Sequence, residues 1–197
     1  MPLEHLIKTP IGNLTVRAGS IENPLITDQI ELTFIKPATE LPSGMEVDQL
    51  EAIFLRLASV FPTHDLYLEC RWELPPSAGS PESGEHLDAQ SWETEDHAVT
   101  IGTEDLEVLR QRLPNLCLQE EPYPVIYSSS ALSILIPFVP ASEEVTLHMV
   151  IAARRLPDPE LISTWIAVDI PHSSLNPETT RHPTELRNDI LSQGTLK

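Results

Sequence analysis

The sequence has few basic residues and no long apolar run, and each shortage excludes a class of protein. Twelve Lys and Arg stand against 30 Asp and Glu in 197 residues, which gives a formal net charge of −18. Such a charge repels nucleic acid and anionic lipid. The longest uncharged apolar stretch, residues 131–140, is about half of the roughly 20 residues that a transmembrane helix needs. The sequence therefore predicts no nucleic-acid partner and no membrane span.

Cysteine is also scarce. Cys70 and Cys117 are the two cysteines of the chain, too few for the disulfide framework of a small secreted protein. The first residues, Met-Pro-Leu-Glu-His-Leu, lack the basic region and the apolar region of a secretory signal. We therefore expect a cytoplasmic location.

Motifs of catalysis and cofactor binding are missing as well. The seven glycines do not form the dinucleotide pattern G-x-G-x-x-G or the phosphate loop G-x-x-x-x-G-K-[ST]. The chain also lacks G-x-S-x-G, H-E-x-x-H, C-x-x-C and the H-x-E deaminase signature. We therefore expect no cofactor, and the absence of these motifs favours a binding protein over an enzyme.

The seven histidines are scattered singly along the chain. Three of them, or a mixture of His and carboxylates, could bind a metal ion only if the fold brought them together. His148 and His172, with Asp169 between them, are the one candidate group that the sequence suggests. The simpler interpretation is a hydrogen-bonded sheet residue for His148 and a solvent-exposed residue for His172. The sequence therefore predicts no metal site.

The periodicity of apolar residues predicts mostly strands. The runs 3–9 and 14–18 flank a Pro-Ile-Gly-Asn turn, which is typical of a hairpin. Apolar and polar residues alternate over 66–74, as in a strand with one buried face. Further strands are expected over 29–36, 97–102, 124–128, 131–139, 145–153 and 162–170.

Two segments are predicted to be helices. Ser43 and Glu46 have the spacing of a capping box, and apolar residues then recur at gaps of three and four, which predicts a helix over 43–61. Thr103 is expected to cap the second helix, which begins with acidic residues and ends before Pro114.

These elements predict an α+β fold, with a mostly antiparallel sheet of about seven or eight strands and two main helices packed on one side. Residues 1–175 are expected to form a single α+β domain. Within it, the segment 75–95 is rich in Pro, Ser, Gly and acidic residues, which predicts a mobile acidic loop. Residues 176–197 are expected to form a polar tail with a short helix at 184–191.

Acidic residues are concentrated in one stretch of the chain. Between Arg71 and Arg110 lie ten Asp and Glu residues and no Lys or Arg. Such a stretch attracts a cationic partner, although solubility alone also accounts for a high net charge. Trp92 lies within this stretch, and its indole either folds back onto the protein or contacts a partner.

We therefore interpret the chain as an acidic protein-binding protein of the inhibitor or immunity type, which neutralises a basic protein partner, and we favour this interpretation over an enzyme. The expected contacts are Glu85, Asp88, Trp92, Glu93, Glu95 and Asp96. Two alternatives stay open. One is a small metal-assisted hydrolase that uses the histidines and carboxylates, and the other is a structural subunit of a larger assembly.

Overall fold

The computed structural model describes residues 2–23, 28–158 and 162–175, and within them the chain is mostly antiparallel β-sheet. The strands are β1 (Leu3–Thr9), β2 (Gly12–Ser20), β3 (Ile30–Ile35), β4 (Gln49–Ala58), β5 (Thr63–Trp72), β6 (Ser80–Gly84), β7 (Leu87–Glu93), β8 (His97–Glu104), β9 (Val125–Ser128), β10 (Ala131–Val139) and β11 (Glu144–Arg155). The helices are α1 (Leu106–Arg112) and α2 (Ser163–Val168), with 3-10 turns at Pro114–Leu116 and His172–Ser174.

The strands form two sheets that pack face to face. The five-stranded sheet has the order β1-β2-β5-β10-β9, and the six-stranded sheet has the order β3-β4-β11-β8-β7-β6. The main core is shared by both sheets, for example by Leu14 and Leu68 of the first and by Ile53 and Ile151 of the second. A second apolar cluster lies on the outer face of the six-stranded sheet, where α2 covers it. One face of this sheet therefore meets its partner sheet and the other meets α2.

The predicted α+β fold is wrong. The described residues form eleven strands in two sheets, instead of one sheet of seven or eight strands, and the two helices are only seven and six residues long. None of the helices in this part of the chain is long and apolar enough to span a membrane. The fold is a β-sandwich rather than a sheet with helices on one side.

The predicted helix over 43–61 is wrong because most of it is strand β4. Ile53 and Leu55 face the core between the sheets, whereas Ala52 and Phe54 face the cluster under α2. A strand buried on both faces has a nearly continuous apolar sequence with no period of two. The helical spacing of its apolar residues was therefore coincidental.

The predicted loop over 75–95 is wrong because it contains β6 and β7. Strand β7 directs Asp88, Gln90 and Trp92 to the face between the two sheets. Two of these three side chains are polar, so this buried face does not have an apolar sequence. The Gln90 side-chain NH2 group donates to the Ser128 carbonyl at 2.7 Å inside the protein, while its Oε1 atom is buried without a hydrogen-bond partner. A strand whose inward side chains are polar and hydrogen-bonded escapes a search for apolar alternation.

The predicted strand over 162–170 is also wrong, since this segment contains α2. The Asp158 carboxylate accepts hydrogen bonds from the Ser163 amide and hydroxyl, both at 3.0 Å. Val168 of the helix packs directly on Gly102 of β8, where an added Cβ would lie 2.6 Å from a Val168 methyl carbon. A side chain at this glycine would displace the helix from the sheet.

The other local predictions have mixed outcomes. The first hairpin and the strand predicted over 66–74 are confirmed by β1, β2 and β5. The second helix is confirmed as α1, but its N-cap is Asp105 rather than Thr103. The tail helix predicted at 184–191 lies outside the described residues, so the division of the chain at residue 175 stays a prediction.

Candidate functional site

Four of the six predicted partner contacts are exposed, and they lie at opposite ends of β7. Glu85 is in the turn between β6 and β7, whereas Glu93, Glu95 and Asp96 lie around the turn between β7 and β8. Glu82 of β6 is exposed between these two ends. We call these five residues the acidic edge, because Glu82 is on the edge strand β6 of the six-stranded sheet and the other four lie in or beside the turns at the two ends of the neighbouring β7.

Trp92, the fifth predicted contact, is buried in the core. Its ring meets Trp72 of the other sheet edge to face, with centroids 5.6 Å apart. Its indole Nε1 donates to the Ser129 carbonyl at 3.0 Å. In this structure the side chain therefore joins the two sheets and is not available to a partner.

Asp88, the sixth predicted contact, is also buried, with 1% of its surface exposed. Its carboxylate accepts a hydrogen bond from the Tyr127 hydroxyl at 2.6 Å and from the Tyr123 hydroxyl at 2.7 Å. Burial raises the pKa of Asp88, and the two hydroxyl donors oppose that rise. The same burial and the nearby carboxylate raise the pKa of Tyr123 to about 12. The two hydrogen bonds of Asp88 therefore connect β7 to β9 and to the segment before β9.

Tyr127→Phe is expected to lower the free energy of unfolding by about 1.5–3 kcal/mol, because a buried carboxylate loses a hydrogen-bond donor. Urea denaturation at neutral pH measures the change. The matched control is Tyr123→Phe, which loses a donor to the same carboxylate. Tyr123 is 38% exposed, so water can replace its hydroxyl and the loss should be smaller. Equal stability of Tyr127→Phe and the wild type would contradict this role of Asp88.

The second group of interest is on the outer face of the six-stranded sheet, at one end of its middle strands. His148 of β11 and His172, just after α2, place their Nδ1 atoms 3.0 Å apart. The Glu104 carboxylate, at the end of β8, lies 4.0 Å from the Nδ1 atom of His148. We call Glu104, His148 and His172 the histidine cluster. Their candidate ligand atoms all lie within 4.8 Å of one another.

Both histidine rings are uncharged at neutral pH. Burial lowers the pKa of His148 to about 3, with further contributions from His172 and Arg112. Burial and the Arg112 guanidinium lower the pKa of His172 to about 4. Each neutral ring therefore carries a single N–H and can accept a hydrogen bond at its other nitrogen.

The neighbours of the two rings determine which nitrogen carries the proton. The Ile170 backbone favours the protonated form of His148, as a carbonyl that accepts from the ring does. Because Nδ1 faces His172, we assign this donor to Nε2, and Nδ1 of the neutral ring then accepts. The proton between the rings then belongs to Nδ1 of His172. Its Nε2 atom accepts from the Thr146 hydroxyl at 3.0 Å. That hydroxyl in turn accepts from Nη1 of Arg112 at 2.9 Å.

Arg112 and Glu104 form an ion pair that supports the histidine cluster. Nη2 and Nε of the guanidinium donate to Oε2 of Glu104 at 2.6 and 2.9 Å. The exposed fractions of the two side chains are 19% and 8%. A third nitrogen, Nη1, donates to the Thr146 carbonyl at 2.7 Å. Arg112 thus links the end of α1 to both β8 and β11.

The structure brings together two of the three residues that the sequence suggested for a metal. Asp169 is exposed and is not a member of the cluster. Its place is taken by Glu104, which follows Thr103 and is one of the acidic residues at the start of the predicted second helix. Glu104 is instead the last residue of β8, and strand pairing of β8 with β11 brings it near His148. No spacing in the sequence indicates this proximity.

Comparison with known proteins gives no family. No protein-family model matches the chain, and no curated protein matches it. One solved structure, of a protein named as a kojibiose phosphorylase from human microbiome, aligns with 10% sequence identity and a TM-score of 0.37. The alignment covers 91% of this chain and 20% of that chain. A likeness at this level carries no argument about function, which must be inferred from the residues themselves.

Proposed function

We propose that this protein is a protein-binding module of the inhibitor or immunity type, which binds a basic partner protein through the acidic edge. The observation that carries the proposal is the arrangement of that edge. Five exposed carboxylates lie on the edge strand β6 and around the turns at the two ends of β7, in a stretch of sequence that has no Lys or Arg.

The shape of the edge favours recognition by side chains. All five residues of β6 are exposed, and β6 pairs with β7 on one side only. Pro81 lacks an amide hydrogen and Glu82 carries a charge, which are two features that prevent an edge strand from pairing with another chain. The eight residue steps from Glu85 to Glu93 span roughly 25 Å at strand rise. The carboxylates are thus spread over a length comparable to a standard protein interface.

Charge alone gives fast encounter and partner selection, whereas affinity needs desolvated anchors. Trp92 cannot be that anchor because it is buried. Leu74 is a better candidate, since it is 84% exposed and lies in the segment that leads into β6. An anchor beside the acidic edge would add apolar burial to a contact whose partner is selected by charge.

We further propose that the protein acts in the cytoplasm. Cys70 and Cys117 are both free thiols, the first buried and the second exposed. An exposed free thiol is more compatible with a reducing compartment than with an oxidising one.

The test compares two variants that each remove four charges. The edge variant carries Glu82→Gln, Glu85→Gln, Glu93→Gln and Glu95→Gln, and the control carries Glu22→Gln, Glu31→Gln, Glu40→Gln and Glu46→Gln, all at exposed positions. Proteins captured by the wild type from the source-cell lysate at low salt are identified by mass spectrometry. The Kd of each candidate is then measured with all three proteins over a range of salt concentrations.

The edge variant is expected to bind the basic partner about tenfold more weakly at low salt, because exposed ion pairs contribute about 0.2–1 kcal/mol each. Its Kd should also depend less on salt. The control should bind like the wild type. Equal binding by the edge variant would contradict the proposal. A complex that persists at high salt would instead favour the structural-subunit alternative.

A further inference from the structure

We propose that the histidine cluster is a binding site for a divalent transition-metal ion of the Zn²⁺ class, held by Nδ1 of His148, Nδ1 of His172 and the carboxylate of Glu104. This proposal is independent of the acidic edge, because the cluster and the edge share no residue.

The donor atoms suit such an ion in kind and in spacing. Imidazole nitrogen and carboxylate oxygen are common Zn²⁺ ligands, with bonds of about 2.0–2.2 Å. The two Nδ1 atoms are 3.0 Å apart, the Glu104 carboxylate is 4.0 Å from the nearer of them, and all three ligand atoms lie within 4.8 Å. Small movements of the side chains would place all three around one ion. Solvent would complete the coordination.

Each of the three ligands is held in place by a further group. His148 donates to the Ile170 backbone, His172 contacts the Thr146 hydroxyl at its Nε2 atom, and Glu104 is bound by Arg112. Metal-binding histidines generally use their second nitrogen in this way, because the contact fixes the orientation of the ring. Arg112 donates to Oε2 of Glu104 at 2.6 and 2.9 Å. The same oxygen lies 4.0 Å from Nδ1 of His148, so the carboxylate would bind the ion beside the guanidinium.

The position of the cluster allows an ion to enter and gives it a structural effect. His148 is buried, but His172 is only partly buried and stacks on Phe54 with ring centroids 4.8 Å apart. The ligands come from β8, from β11 and from the 3-10 turn after α2. A bound ion would therefore fasten the chain after α2 to the sheet. The Arg112 guanidinium opposes a cation, but the Glu104 carboxylate compensates its charge.

Metal binding requires one definite change of tautomer. Without an ion, the proton between the rings is on Nδ1 of His172. When Nδ1 binds the ion, that proton must be lost there and the neutral ring must carry its proton on Nε2, where it donates to Thr146. His148 already carries its proton on Nε2 and keeps it. The number of protons on the two rings is unchanged, and only His172 changes tautomer.

The test uses the full chain after treatment with a chelator, titrated with Zn²⁺ and, as a spectroscopic probe, with Co²⁺. We expect one ion per chain by calorimetry, a visible Co²⁺ absorption typical of a low-coordinate site, and a higher Tm in excess metal. Long-range ¹H–¹⁵N spectra of the histidine rings should show His172 moving from the Nδ1–H to the Nε2–H form. This readout needs no variant.

His172→Gln should weaken the affinity by at least about tenfold, whereas His97→Gln, at another partly buried histidine, should bind like the wild type. The absence of stoichiometric binding to the wild type would overturn the proposal and leave the cluster as a hydrogen-bonded network. Unchanged affinity in His172→Gln, or ring spectra without a change at His172, would also overturn it.

Discussion

Trp92→Ala is expected to lower the free energy of unfolding by about 3–5 kcal/mol, because it removes a fully buried large side chain from the core. The loss includes the edge-to-face contact with Trp72 and the hydrogen bond to the Ser129 carbonyl. These contacts connect β7 of one sheet to β5 and to the β9–β10 turn of the other. Urea denaturation followed by circular dichroism measures the change.

Two further variants separate the contributions of Trp92. Trp92→Phe keeps an aromatic ring but loses the N–H group, so it should cost less than the alanine variant. Trp165 of α2 is partly buried and packs against the second apolar cluster, so Trp165→Ala should also lower the free energy of unfolding by less than Trp92→Ala. If Trp92→Ala had wild-type stability but did not bind the basic partner, the indole would be a partner contact and its buried placement would be wrong.

Arg112→Ala is expected to lower the free energy of unfolding by about 3 kcal/mol, since it leaves the carboxylate of Glu104 without its partner in a buried place. It also removes hydrogen bonds to the Thr146 carbonyl and hydroxyl. Thermal and urea unfolding in the presence of a chelator measure the loss without any contribution from bound metal.

An exposed ion pair provides the control for Arg112. Arg17 and Glu4 are 3.0 Å apart, with 41% and 51% of their side chains exposed, so Arg17→Ala should cost less than about 1 kcal/mol. The double variant Arg112→Met, Glu104→Leu should recover part of the stability, because both charges are then absent. The unfolding free energy lost in the double variant is compared with the sum of the losses in Arg112→Met and Glu104→Leu alone. If the two were equal, the broken ion pair would not be the cause of the instability of Arg112→Ala.

The elements that were predicted correctly are those in which the burial of the side chains follows the pattern of apolar and polar residues in the sequence. Strand β5 alternates between fully buried and partly buried residues, and the first hairpin has an explicit turn sequence. Helix α1 has an acidic start and a basic end. In each of these elements the local pattern agrees with the tertiary environment.

Prediction from the sequence was wrong where the burial of the side chains does not follow the local pattern of apolar and polar residues. Strand β4 is buried on both faces, which conceals its period of two. Strand β7 buries two polar side chains: Asp88 accepts hydrogen bonds from Tyr123 and Tyr127, and Gln90 donates one to a backbone carbonyl. The sequence suggested His148 and His172 as candidates but not Glu104, because Glu104 is 44 positions before His148 and only strand pairing brings them together.

The order of strands also determines how the chain can be assembled as it is synthesised. Strands β1 to β5 supply β1-β2-β5 to one sheet and β3-β4 to the other, and strands β6 to β11 supply the remainder of both. The two halves meet along two long seams, β5 with β10 and β4 with β11. When the first half leaves the ribosome, β4 and β5 therefore have unpaired apolar edges. These edges stay open to wrong pairing until β10 and β11 have been made.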